Sequence, residues 1–136
     1  MKDMLTKYLK KNSRARKGSN LAESAVAAII LIPIALAILD LIVLVSANSM
    51  NDTAAKNAAR AAANQADQPT AGEAAANALS TFHKSSIITN IDVVLQWTPD
   101  QVTCVTTMKV HLPVPFPGFS DLVFTAKDVE PVIAQK

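Results

Sequence analysis

The stretch "RKGSNLAESAVAAIILIPIALAILD" runs from Arg16 to Asp40. A basic run ends at a lone glycine, Gly18, and a carboxylate, Glu23, follows five residues later. Then comes an apolar run that holds a proline, Pro33, and a second carboxylate, Asp40. The apolar core, Ala25 to Val45, is 21 residues long. As a helix rising about 1.5 Å per residue it spans roughly 31 Å, the hydrocarbon thickness of a bilayer. Lipid penalises charge, so the two carboxylates each call for a physical reason.

Working outward toward the N-terminus, the charge is asymmetric. Residues 1–18 hold seven Lys/Arg against one Asp, a balance of +6, whereas the rest holds six Lys/Arg against ten Asp/Glu, a balance of −4. A basic head before a long apolar segment places the N-terminus in the cytoplasm by the positive-inside rule, with the chain from about Asn48 on the other side. A basic run also suits nucleic acid. No aromatic-rich or repeated basic surface follows it, so no nucleic-acid partner is expected. Two rival readings stay open. One is an uncleaved signal anchor, a single-pass membrane protein whose outer domain binds a partner. The other is a secretory signal peptide cut after Val45-Ser46-Ala47, which would release a secreted binding domain. Against the second, the apolar run is longer than the usual 7–15 residues or so of such peptides, and it contains Asp40.

Glu23 discriminates among these readings. An isolated buried carboxylate costs several kcal/mol or loses its charge. A cut after Gly18 would give Ser19 a new α-amino group, and staggered parallel helices could pair that amine with Glu23 and so select a register. Pro33 removes an amide hydrogen and frees a carbonyl one turn back, which kinks or loosens a helix but is tolerated in membranes. Asp40 lies seven residues further, on the same face. It is expected to make a helix–helix contact within the membrane or, alternatively, to reach water near the outer interface.

Beyond the membrane the pattern predicts an α+β fold. Asn51 to Ala66 is alanine-rich, with Asp52 and Lys56 at the favourable i,i+4 spacing. Its small residues suit close helix approach as well as helix propensity. Gln68-Pro69-Thr70-Ala71-Gly72 reads as a break. A second helix, about Gly72 to His83, carries Ala75, Leu79 and Phe82 on one face. Period-two alternation follows: Ile91, Val93, Leu95 and Trp97 on one strand, then a turn at Thr98-Pro99-Asp100-Gln101, then Val102, Cys104, Thr106, Met108 and Val110 on the core face of the next. "LPVPFPGF" reads as a stiff extended connection, and Leu122, Phe124 and Ala126 mark a third strand. The expected architecture is a long N-terminal transmembrane helix extending into a soluble part, a second short helix, and a small antiparallel β-meander packed on that second helix. In segments this is a cytoplasmic leader (1–18), a transmembrane or assembly helix (19–47), an alanine-rich extension (48–68) and a small extracytoplasmic α+β domain (69–136).

Enzyme signals are missing from the sequence. Gly18, Gly72 and Gly118 are its three glycines, so no phosphate-cradling loop is present. His83 and His111 stand 28 residues apart without a companion at metal-ligand spacing. His111 shares the polar face of its strand with Lys109, where a solvated histidine is expected. The single cysteine, Cys104, falls on an apolar face, which favours a buried structural thiol over a nucleophile. No enzyme activity, metal or cofactor is expected.

Gly18 followed by Glu23, with a basic leader before and an apolar helix after, resembles the class III signal of type IV prepilins. The longer pattern of Gly18, Glu23, Pro33, Asp40, the stretch "DTAAKNAARAAANQA" and the final strands is similar to the TadE-like pseudopilins of tight-adherence (Flp) pili. This resemblance covers most of the chain. It implies a prepilin peptidase that cuts between Gly18 and Ser19, and pairing of the new amine with Glu23 during assembly. It also implies partners among other pilin-like subunits, the inner-membrane pilus assembly platform and membrane lipid. The implied function is assembly or priming of an adhesive pilus from a single-pass position in the inner membrane.

Overall fold

The computed structural model describes residues 2–82, 84–116 and 119–133, with side chains from Asn20 onward apart from 115, 116 and 119. The fold is α+β: helix α1 (Lys2–Ala63), helix α2 (Gln68–Ser80), and strands β1 (Ile88–Trp97), β2 (Gln101–Phe116) and β3 (Phe119–Pro131). By its contacts the chain divides into two units, Met1–Leu39 and Asp40–Lys136.

The first unit is helical, and the side chains of Asn20 to Leu39 are exposed except for the half-buried Leu36. Leu21, Ile29, Leu31 and Ile34 are each more than half exposed. Helix α1 continues through Pro33. A helix that is apolar all round and uncovered is long and apolar enough to cross a membrane.

The second unit holds the core. The three strands form one antiparallel sheet in the order β1-β2-β3, a meander. The β1–β2 turn is tied at Thr98, whose N–H and hydroxyl both donate to the Gln101 carbonyl at 2.9 and 2.8 Å. The alternation read from the sequence sets the faces. Val102, Cys104, Thr106, Met108 and Val110 are all buried, and Ile91, Val93, Leu95 and Trp97 pack against the core from β1.

Two element bounds differ from the sequence reading. Helix α2 begins at Gln68, four residues before the expected Gly72, and the chain break falls at 64–67. The reason is local. Asp67 has extended backbone and acts as N-cap, its carboxylate accepting from the Thr70 N–H at 2.9 Å. Pro69 then sits in the first turn, where a missing N–H costs nothing. The apolar face of α2 begins correspondingly earlier, with Ala71 buried beside Ala75 and Leu79. The expected end of this helix at His83 lies outside the described residues. The second difference is that β2 continues into "LPVPF" and ends at Phe116. Its ladder with β3 is interrupted between His111 and Phe116, so Pro113 and Pro115 occupy positions where no ladder bond is lost.

The sheet also packs more widely than on α2 alone. Ala54, Ala58, Ala59, Ala62 and Ala63 of α1 form one core cluster with Ala71, Ala75 and Leu79 of α2 and with Val102 and Cys104 of β2. Ala47 of α1 joins Ile88, Met108 and Val110 in a second. Alanine side chains let the sheet approach the helix backbone closely, so the alanine-rich extension is core on one face.

Candidate functional site

Glu23 and Pro33 belong to the first unit, and Asp40 opens the second. Gly18 and Ser19 lie within the helical span of α1, and their side chains fall outside the described residues. Glu23 is exposed, one turn into the described helix surface, beside Ser24, whose hydroxyl donates to the Asn20 carbonyl at 2.8 Å. Among the described residues no ion pair reaches Glu23. The carboxylate is therefore accessible to a partner.

Asp40 is placed differently. It is 5% exposed, although the neighbouring Leu39, Leu41 and Ile42 are all more than half exposed. Its Oδ1 accepts from the backbone N–H of Val114 at 3.3 Å. Val114 sits between two prolines in the interrupted part of β2. Among the described residues it has no partner in either strand pairing. A backbone N–H freed by the irregularity thus meets the one carboxylate in the apolar run. Asp40 Oδ2 is buried and has no hydrogen-bond partner among the described residues. The contact that the structure gives Asp40 is within its own chain.

Asp40 heads a stripe along α1 that continues through half-buried Val43 and Leu44 to Ala47, Asn51, Ala54, Ala55, Ala58, Ala59, Ala62 and Ala63. Asn51 is its second polar member and is fully buried. Its Nδ2 donates to the Phe124 carbonyl of β3 at 3.1 Å, and its own carbonyl accepts from the Thr106 hydroxyl of β2 at 3.3 Å. These bonds fix the register of helix against sheet. Sequence reasoning missed Asn51 and Val114. Asn51 carries a readable signal, since it stands eleven residues, about three turns, beyond Asp40 on the same face. Val114 carries none, because its partner is 74 residues away in sequence.

Two further clusters involve titratable groups. At the β2–β3 pair that borders the interruption, Asp121 meets His111 Nδ1 at 2.8 Å and Lys109 Nζ at 3.2 Å. The hydrogen bond from His111 and then that from Lys109 hold the Asp121 carboxyl below its ordinary value of 3.8. All three side chains are well exposed, so His111 is solvated and paired with Asp121. Cys104 is fully buried, and burial, with a smaller contribution from the Asp128 charge, pushes its thiol up to about 11. A neutral buried thiol is a packing group at physiological pH. Among the described residues no three His, Cys, Asp or Glu side chains gather to hold a metal ion.

The second unit also carries an apolar groove of about 400 Å³ beside the start of its helix. It is lined by Ile42, Val43, Ser46, Ala47 and Met50 of α1 and by Ser85, Ile87 and Ile88 around the start of β1.

No protein-family model, curated protein or solved structure matches this chain.

Proposed function

We propose that this protein is a pilin-like membrane subunit, similar to TadE-like pseudopilins, that acts in assembly or priming of a tight-adherence pilus. The observation that carries this reading is the placement of Glu23. It lies five residues after Gly18, exposed at the head of an uncovered apolar helix that leads into a small α+β unit. An anchor has no use for a carboxylate at the start of its lipid-facing helix. A subunit cut after Gly18 does, because the freed Ser19 amine of one copy can meet the Glu23 of another. In this reading residues 1–18 lie in the cytoplasm, α1 crosses the inner membrane once, and the second unit is extracytoplasmic. The partners are prepilin peptidase, other pilin-like subunits, the assembly platform and membrane lipid. The work is assembly and not catalytic turnover.

Two measurements test it. Mass spectrometry of membrane-extracted protein is expected to find Ser19 as the first residue. An intact leader in cells with an active peptidase would favour an uncleaved anchor, and a first residue of Asn48 would favour a secreted domain. The second measurement uses Glu23→Ala. That protein is expected to be processed and membrane-resident yet absent from co-purified pilus components, since an unpaired member of a buried ion pair costs about 3–5 kcal/mol. Glu23→Asp, with its shorter reach, is expected to be intermediate. Normal co-assembly of processed Glu23→Ala protein would remove the pairing mechanism.

A further inference from the structure

The stretch "LPVPFPGFS", Leu112 to Ser120, carries no charged residue. Charge resumes at once on both sides, at Lys109 and His111 of β2 and at Asp121 of β3, and these three pair with one another. Contacts inside the second unit place this stretch. Val102 and Cys104 share a cluster with Ala58 to Ala63 of α1, Met108 and Val110 share one with Ala47, and Val114 bonds to Asp40. β2 therefore runs along its part of α1 in the opposite direction. Phe116, in register with Phe119 of β3, comes two residues after the Asp40 contact. The joined end of β2 and β3 thus lies at the same end of the unit as Leu41, Ile42 and Val45, each more than half exposed.

Chain continuity and one hydrogen bond set the depth of this end. About 20 helical residues cross the hydrocarbon of a bilayer. Counted from Ser24, the first residue after the Glu23 charge, the far edge falls near Val43, so Asp40 lies inside it. Val114, whose N–H is 3.3 Å from the Asp40 carboxylate, lies at close to the same level. A backbone segment there must not leave donors open, because hydrocarbon accepts no hydrogen bond. Pro113, Pro115 and Pro117 carry no N–H. The Val114 N–H is accepted by Asp40, and Phe116 stands opposite Phe119 in the ladder. Orphaned N–H groups are rarer in buried places than under-satisfied carbonyls, so the prolines remove the more demanding group. We propose that the joined end of β2 and β3, from Leu112 to Phe116 with Phe119 and Ser120, is seated in the hydrocarbon edge of the outer leaflet. Asp40 then accepts the donor that the prolines leave between them. Lys109, His111 and Asp121 mark the headgroup level, since three strand residues carry the chain about 10 Å from Val114 to His111. The inference rests on the reading that α1 crosses the membrane with the second unit outside.

The test uses the full chain in phosphatidylcholine vesicles with bromine, a fluorescence quencher, on the acyl chains, and iodide as the quencher in water. Reporters are Phe116→Trp and Phe119→Trp, each an aromatic exchange read above the emission of the native Trp97. Ser120 is exposed, so Ser120→Trp serves where a phenylalanine exchange misfolds. Leu31→Trp, 62% exposed in the apolar run, is the span control, and Val129→Trp, 46% exposed near the far end of β3, is the water control. Lipid brominated near the head of the chain is expected to remove more than half of the added emission of the reporters and to spare Val129→Trp. Iodide is expected to do the reverse. Reporters quenched by iodide as strongly as Val129→Trp, with Leu31→Trp still quenched by brominated lipid, overturn the seating and leave the membrane span intact. No quenching of Leu31→Trp by any brominated lipid overturns both. Reporters shielded from both quenchers would assign this end to a protein contact, and would also overturn the seating.

Discussion

Asp40 and Asn51 are the two polar side chains on the buried stripe of α1, and each is kept there by a backbone group of the sheet. For Asp40 the bond to Val114 is long, 3.3 Å, and the second oxygen has no partner among the described residues. The amide of Asn offers the same acceptor without a charge to bury. Asp40→Asn is therefore expected to leave the second unit at least as stable as it is. Asp40→Ala strands the Val114 N–H and is expected to lose about 1–3 kcal/mol. Thermal unfolding of the full chain in detergent micelles distinguishes the two. Asp121 offers a pH handle. Its folded carboxyl is held down by His111 and Lys109, so it contributes stability above the ordinary value of 3.8 and loses it as pH falls through the lower folded value. The stability difference between the wild type and Asp121→Asn should accordingly be steady at neutral pH and vanish in acid, as unfolding curves at stepped pH would record. Cys104 works in the opposite direction. Its neutral thiol is favoured by burial, so its contribution holds below the unfolded value near 8.5 and fades as pH rises toward about 11.

At the scale of elements, α1 is one helix with two surfaces. Alanines 58 and 62 are fully buried against the sheet and α2, while Asn57 is exposed. Ala58→Leu is expected to overpack the contact and lose about 1–3 kcal/mol, with Asn57→Leu within about 0.5 kcal/mol of the wild type. Denaturant titration of the two variants checks this. Much of this layer was legible in the sequence. The period-two strands and the turn at Thr98 follow from local patterns that burial merely completes. The start of α2 was written in the sequence as well: an N-cap aspartate with proline in the first turn is a helix signal, and reading Pro69 as a breaker put the boundary four residues late. The packing of the sheet on α1 was not legible. In an alanine-rich helix, small side chains occur on every face, so periodicity does not mark which face is covered. Asp40 illustrates the same limit. Its position was visible, and its need for a partner followed from physics, but the partner was a backbone N–H in a distant strand.

For the whole molecule, the charge balance and the uncovered apolar helix together set the expected topology. The head carries +6 and the remainder −4, and a helix with its leader inside puts the sheet outside. A periplasm-dependent reporter enzyme fused after Lys136 is expected to be active, and the same reporter fused after Gly18 inactive. The reverse pattern would invert the proposed orientation. The far end of the sheet is also fastened to the helix: Ile133 N–H donates to the Ala63 carbonyl at 3.0 Å, and Arg60 meets Glu130 at 3.2 Å. The second unit is thus closed only when its last strand is in place.

The Asp40–Val114 bond carries a timetable. The donor is made 74 residues after the acceptor, and at about 5–20 residues per second that is roughly 4–15 s of synthesis. During this interval the ribosome has delivered the apolar helix but not the strand that shields its carboxylate. In the proposed topology, insertion therefore begins before Asp40 has its backbone partner, and the last part of the chain to arrive completes the packing around it.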